Sequence, residues 1–142
     1  MYDLRDLITV GLGAQVTHVV RDSDAASNYS EDLKDFLSTP AVIGLAIQAT
    51  GKAVEAYMPE GFVSIGRFIS FEHTASTRVG MKITVEARVV EVTEQLIVFE
   101  VKARDELGEV GFGTHKRSIV VKDYLTARSK RREAMASNSR MS

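Results

Sequence analysis

An α+β domain, with a long antiparallel sheet curled around one central helix, is the fold class this sequence predicts. Three observations predict it. One stretch, residues 40–57, is apolar on most sides at helical spacing. From residue 62 onward the apolar residues switch to a period of two and keep it through four long runs. The links between those runs are short, which makes the strands antiparallel neighbours. A sheet with one polar face must cover the other, and this helix is the element apolar enough to do so.

Each element has its own signal. Residues 1–13 read as a loose lead-in ending in "GLG". Residues 14–20, "AQVTHVV", alternate and are β-branched, so they form a strand. Residues 21–36 are polar, with Tyr29 and Phe36 as anchors, and read as a loop with a short helical turn. Thr39 takes the N-cap and Pro40 the first helical position, where its missing N–H costs nothing. Val42, Leu45, Ala46, Ala49, Ala53 and Val54 make one apolar stripe, which Ile43 and Ile47 widen. Pro59 and Gly61 end the helix.

The strands follow. Val63, Ile65, Ile69, Phe71 and Ala75 share one face of the first, with Arg67 and His73 in the same phase. Met81, Ile83, Val85, Ala87 and Val89 line the second, opposite Lys82, Thr84, Glu86 and Arg88. Ile97, Phe99, Val101 and Ala103 line the third. "DELGE" is a turn whose glycine suits positive φ. "VGFGTHKRSIVV" is the fourth strand. Residues 122–142 start helix-like and fray into a Ser-rich basic tail. The whole chain reads as one domain, 1–142, with its core over 14–121.

Composition bounds the function. The chain has 142 residues, 44% apolar and 26% charged, with a net charge of −1 and no cysteine. That charge recruits neither nucleic acid nor membrane, and no apolar run reaches the ~20 residues of a membrane span. Disulfides and cysteine-based zinc sites are excluded. The N-terminus makes a poor signal peptide, so a soluble cytoplasmic domain is the expectation. His18, His73 and His115 show no metal-ligand spacing, so no metal is expected.

His73 stands in phase with apolar residues, and two readings follow. It is a core histidine satisfied by a neighbour, or a general base near neutral pH. Thr39 likewise is a cap, or a hydroxyl at a helix start where N–H groups and partial positive charge gather. His115 and Arg117 share a strand phase with Gly111 and Gly113. Glycines in a strand mark a bulge or the close approach of backbone or ligand. His115 and Arg117 are therefore an exposed basic pair or a contact for a phosphate-bearing ligand. Arg67, Arg78 and Lys116 are weaker candidates for the same role.

Three stretches, "LSTPAVIGLAIQA", "GRFISFEHTASTRVGM" and "GEVGFGTHKRSIV", together resemble the hot-dog thioesterase superfamily, and within it the fluoroacetyl-CoA thioesterase-like branch. The likeness spans residues 37–121. It implies a hot-dog fold and hydrolysis of a small acyl-CoA thioester at a dimer-interface pocket. It implies a homodimer, which can pair again to a tetramer, and no cofactor, CoA being part of the substrate. The branch's catalytic threonine and histidine fall on Thr39 and His73, and the glycine beside its acyl pocket falls on Gly66. Its glutamate, eight residues after the threonine, falls on Ile47, with Gln48 beside it.

The expected site is therefore catalytic Thr39, His73 and Gln48, with Gly66, Ile47, Gly113, His115 and Arg117 binding substrate. Backbone N–H groups at the 39–42 helix start, or at Gly66, would polarise the carbonyl. Glu72 falls on the wrong strand face to replace the glutamate, and Glu55 faces solvent. A carboxylate from the partner subunit or from Asp22, Asp24, Glu31 or Asp32 stays open. The alternative is a non-catalytic acyl-CoA-binding or sensing module that lacks the carboxylate.

Overall fold

The structure is a computed structural model that describes residues 2–141. Its strands are β1 (Gly13–Val19), β2 (Phe62–His73), β3 (Lys82–Val92), β4 (Ile97–Asp105) and β5 (Gly108–Val121). Its helices are α1 (Thr39–Val54), extended by a 3-10 turn at Glu55–Tyr57, and α2 (Lys122–Met141). The strands form one antiparallel sheet in the order β1-β3-β4-β5-β2. α1 packs across its inner face, against β1 and β3 first and then β4 and β2. Among the described residues no helix is long and apolar enough to cross a membrane.

Period-two reading holds where strands are regular. Ile83, Val85, Ala87 and Val89 of β3 and Ile97, Phe99, Val101 and Ala103 of β4 are all buried under α1. Gly108 turns the β4–β5 hairpin at φ 136°, a conformation that only glycine adopts without strain. β2 breaks the rule. Its register with β5 shifts between Gly66 and Phe68, a bulge at Arg67. One extra residue exchanges the two faces. Ser64 and Gly66 therefore face inward before the bulge, and Ile69, Phe71 and His73 after it. Val63, Ile65 and Arg67 lie on the outer face, not with His73 as the alternation predicted.

Three further expectations are corrected. The lead-in is anchored: Leu4 is 0% exposed and Ile8 joins the same core, while the Leu4 N–H donates to the Glu94 carbonyl at 2.9 Å. The cap of α1 is Ser38, whose Oγ accepts from the Ala41 N–H at 3.1 Å, so Thr39 and Pro40 are the first two helical residues. The tail does not fray within the described residues, because α2 stays helical through Met141.

A polar cluster sits inside this core. Thr50 Oγ1 lies 2.8 Å from His115 Nδ1 and donates to the Ile47 carbonyl at 2.9 Å. The hydroxyl's one proton is thus spent, so His115 Nδ1–H is the donor to Thr50. Arg117 donates to Thr50 Oγ1 at 3.3 Å, to Ser64 Oγ at 3.0 Å and to the Ser64 carbonyl at 3.1 Å. His115 is 2% and Arg117 9% exposed, so they are not an exposed basic pair. Burial, and then the Arg117 charge, push His115 down to about 4.

Two outcomes follow. Leu4→Ala should cost about 2–5 kcal/mol in urea denaturation, the range for truncating a buried leucine. An unfolded histidine titrates near 6.5 and folded His115 near 4, so between those values only the unfolded chain holds this proton. Thermal stability should therefore fall as pH drops from 6.5 towards 4, and His115→Asn should flatten that slope.

Candidate active site

Local chain geometry brings Thr39 to His73. The 21–38 segment is tied to the turn after β2: the Leu37 N–H donates to the Thr77 carbonyl at 2.8 Å, and the Val79 N–H to the Asp35 carbonyl at 2.9 Å. The Thr74 N–H, just past β2, donates to the Val110 carbonyl at 2.8 Å. These ties fix the start of α1 over the end of β2. Ser38 takes the capping role, which frees the Thr39 hydroxyl. That hydroxyl lies 2.8 Å from His73 Nδ1.

Thr39 and Thr50 stand eleven residues apart, three turns and ~20° along one helix face. Each holds the Nδ1 of a sheet histidine at 2.8 Å. The two pairs differ in where the proton goes. Thr50 gives its proton to a carbonyl, whereas the Thr39 hydroxyl has no other acceptor among the described residues. It can donate to Nδ1 and so leave an imidazole ready to take that proton. Burial pushes His73 below the ordinary histidine value of 6.5, with the Ala75 backbone acting in the opposite direction. The imidazole is therefore neutral at neutral pH, the form that can accept a proton. Its Nε2 is buried and has no partner among the described residues. A buried polar atom without a partner costs ~1–3 kcal/mol, and such atoms gather where chemistry needs them.

The pair opens into a cleft of about 340 Å³. Leu33, Phe36 and Leu37 form an apolar wall, and Thr74, Ala75 and Ser76 the other rim. No lining residue carries a carboxylate. Asp24, a sequence candidate for that role, accepts instead from His18 Nε2 at 2.7 Å and the Arg21 N–H at 2.8 Å. Glu31, Asp32, Glu55 and Glu72 are exposed, and none lines the cleft.

The other expected site residues sit elsewhere. Gln48 is exposed and ~180° round α1 from Thr39, so α1 turns it away from the pair. Ile47 is 40% exposed on the flank of the helix. Gly66 faces His115: a Cβ there would stand 3.1 Å from Nε2 of that ring. Gly113 faces the β2 backbone, where a Cβ would come 1.9 Å from the Ser70 carbonyl oxygen, so the two strands pack too closely there for a side chain. His115 and Arg117 lie in the buried cluster and not against the cleft. The helix-start donors are largely used. Pro40 has none, the Ala41 N–H serves Ser38 Oγ, and the Val42 N–H serves the Ser38 carbonyl. The Thr39 N–H is what remains. Sequence reading missed the cleft wall of Leu33 and Leu37; their separation from any periodic element hid them.

A family model described as "FlK: Fluoroacetyl-CoA-specific thioesterase" matches residues 20–123. The fluoroacetyl-CoA thioesterase of Streptantibioticus cattleyicolor is 29% identical over 113 residues, 80% of this chain and 78% of that protein. A hot-dog-like protein from Thermanaerovibrio acidaminovorans superposes with a TM-score of 0.87 at 31% identity, covering 92% of this chain and 96% of that one. A mutant of the fluoroacetyl-CoA-specific thioesterase FlK, solved in complex with fluoroacetate and CoA, superposes with a TM-score of 0.78 at 26% identity, covering 83% and 99%. The curled sheet around α1 is thus a hot-dog fold, and the chain belongs to the fluoroacetyl-CoA-specific thioesterase family.

Proposed function

We propose that this protein hydrolyses a short acyl-CoA thioester in the Thr39–His73 cleft. The observation that carries the proposal is the 2.8 Å contact between a hydroxyl with a free proton and a neutral imidazole, at the mouth of a small apolar cleft. His73 takes a proton from a water, or from Thr39, as its oxygen attacks the thioester carbonyl. The Thr39 N–H and the positive end of α1 stabilise the oxygen that becomes negative. The C–S bond then breaks, and the imidazolium returns its proton to the departing thiolate, giving free CoA; where water attacked, the acid is released at once, and where Thr39 attacked, its acyl ester is then cleaved by a water that His73 deprotonates, which releases the acid and restores the hydroxyl. Leu33, Phe36 and Leu37 leave room for a short acyl group. CoA enters as part of the substrate, and no further cofactor has a role.

The working form is a homodimer. Thr39 is exposed and the cleft is open in the single chain, while the partly exposed flank of α1 with Ile47 offers an apolar surface to a second copy. Pairing of dimers to a tetramer would be read by sedimentation. Absence of cysteine accords with a reducing, cytoplasmic setting.

Steady-state release of CoA thiol from a panel of acyl-CoAs tests the reaction. His73→Ala should lower kcat/KM by about 10²–10⁴-fold, the usual worth of a positioned base. Thr39→Ser should retain activity that Thr39→Val loses. The wild-type rate should fall with acid through a midpoint below 6.5, because His73 must be neutral to act. Equal rates for wild type and His73→Ala would reject the mechanism.

A second reading is a non-catalytic acyl-CoA binder. It is favoured by Ile47 in the place of the family's glutamate and by the absence of any carboxylate from the cleft. Ile47→Glu separates the two. Hydrolysis in wild type supports the enzyme, whereas hydrolysis only in Ile47→Glu identifies the natural chain as a binder.

A further inference from the structure

Each of the chain's three histidines meets one side chain from outside the sheet: His73 meets Thr39, His115 meets Thr50, and His18 meets Asp24. His18 differs from the others in meeting a carboxylate, its Nε2 lying 2.7 Å from Asp24 Oδ2. It stands on β1 in phase with Ala14 and Val16, which pack against the core. A strand residue of that phase is ordinarily apolar. The His18 and Asp24 side chains are only 29% and 23% exposed, and neither lines the cleft of Thr39 and His73.

Asp24 stands at the base of the 21–38 segment. That base is a short antiparallel strip: Ala25 bridges to Leu37, the Ala26 N–H donates to the Phe36 carbonyl at 2.8 Å, and the Ser38 N–H donates to the Asp24 carbonyl at 2.9 Å. One side of the strip carries Asp24. The other runs through Phe36 and Leu37 of the cleft wall into Ser38 and then Thr39. The Arg21 N–H donates to Asp24 Oδ2 at 2.8 Å and the Asp24 N–H to the Arg21 carbonyl at 2.9 Å, so the turn closes with its carboxylate held toward β1. A carboxylate grips such donors more strongly than a neutral acceptor does. The buried stripe of α1 begins only at Val42, three residues after Thr39. First-turn N–H groups have no earlier carbonyl of their own helix, so the first turn depends on what holds the residues before it.

We infer that Asp24 is a positioning residue for the Thr39 hydroxyl, an inference that rests on the hydrolytic reading above. His18 holds the Asp24 side chain, the Asp24 carbonyl holds the Ser38 N–H, and Ser38 sets where Thr39 meets His73. β1 and β2 are the two edges of the sheet, so this chain of contacts ties one edge to the other across the start of α1. The Leu37 and Val79 N–H bonds to the Thr77 and Asp35 carbonyls hold the far side of the segment. Loss of the His18 contact therefore loosens the first turn without unfolding the domain.

The test uses the full chain. His18→Leu removes the donor and Asp24→Ala the acceptor, and each should lower kcat for an acyl-CoA about ten- to a hundredfold, the scale of a ~1 Å misplacement. His18→Gln, whose amide nitrogen can stand where Nε2 stands, should restore most of the rate. Imidazole nitrogen NMR at one fixed pH reads the placement without turnover. The His73 Nδ1 resonance should move in His18→Leu and Asp24→Ala in the direction that Thr39→Val moves it, and should stay in His18→Gln. Should Asp24→Ala fail to fold, Asp24→Asn, which keeps an acceptor and loses the charge, should show the same changes in smaller measure. An unmoved His73 resonance in the disruptive variants, or a loss that His18→Gln does not restore, overturns the inference and leaves hydrolysis standing. A resonance that moves as expected in a protein that hydrolyses no thioester overturns the hydrolase and keeps the placement of Thr39 by Asp24.

Discussion

The sheet side of α1 is closed to water, and the rest of the domain is arranged around that fact. Val42, Ala46, Ala49 and Val54 are fully buried against β1, β3 and β4. Burying that stripe fixes the helix both in rotation and in height. Two threonines lie on one face of the same rigid rod, three turns apart, and each meets a histidine of the sheet. Once the stripe is buried and the first turn wound, neither threonine can move without opening the core, so both imidazoles are kept at hydrogen-bond distance from a hydroxyl rather than from a charge.

The two pairs show how environment assigns different work to one geometry. Thr50 gives its proton back to its own helix, and its histidine is buried among Arg117, Ser64 and Gly66, away from the cleft that His73 borders. Burial, and then the Arg117 charge, keep such a ring neutral until the pH falls to about 4. Thr39 sits in the first turn, where the cap belongs to its neighbour Ser38 and the hydroxyl proton has no backbone claimant. Its histidine is held neutral by burial, yet it borders a hollow. The difference is one of helix position. Interior residues can hydrogen-bond back to a carbonyl a turn earlier, and first-turn residues cannot.

Much of this was legible beforehand, and the failures have physical causes. The faces of β3 and β4 follow from alternation because Ile83–Val89 and Ile97–Ala103 are central and regular, their register shifts falling beyond Val89 and Ala103. β2 defeated the same rule because a bulge costs one residue and leaves no compositional sign except a glycine beside an arginine. The cap of α1 was misplaced by one position because serine and threonine stand together before a proline, and both are good caps. Leu4 and Ile8 read as loose because a plug of two residues has no period. Gln48 was offered for an absent carboxylate on adjacency in sequence, and one residue on a helix is ~100° of rotation.

Sequence by itself determined the α+β class, the helix that would be buried, the strand runs and the pairing of one threonine with one histidine through family likeness. Those properties are local, or are carried by residue types at fixed spacing. Tertiary structure alone decided which histidine borders a cleft, which one is sealed, that the cleft carries no carboxylate and that the third histidine meets Asp24 beside the start of α1. Each of these depends on which faces meet after the chain has folded, and a single bulged residue in β2 is enough to exchange one face for the other.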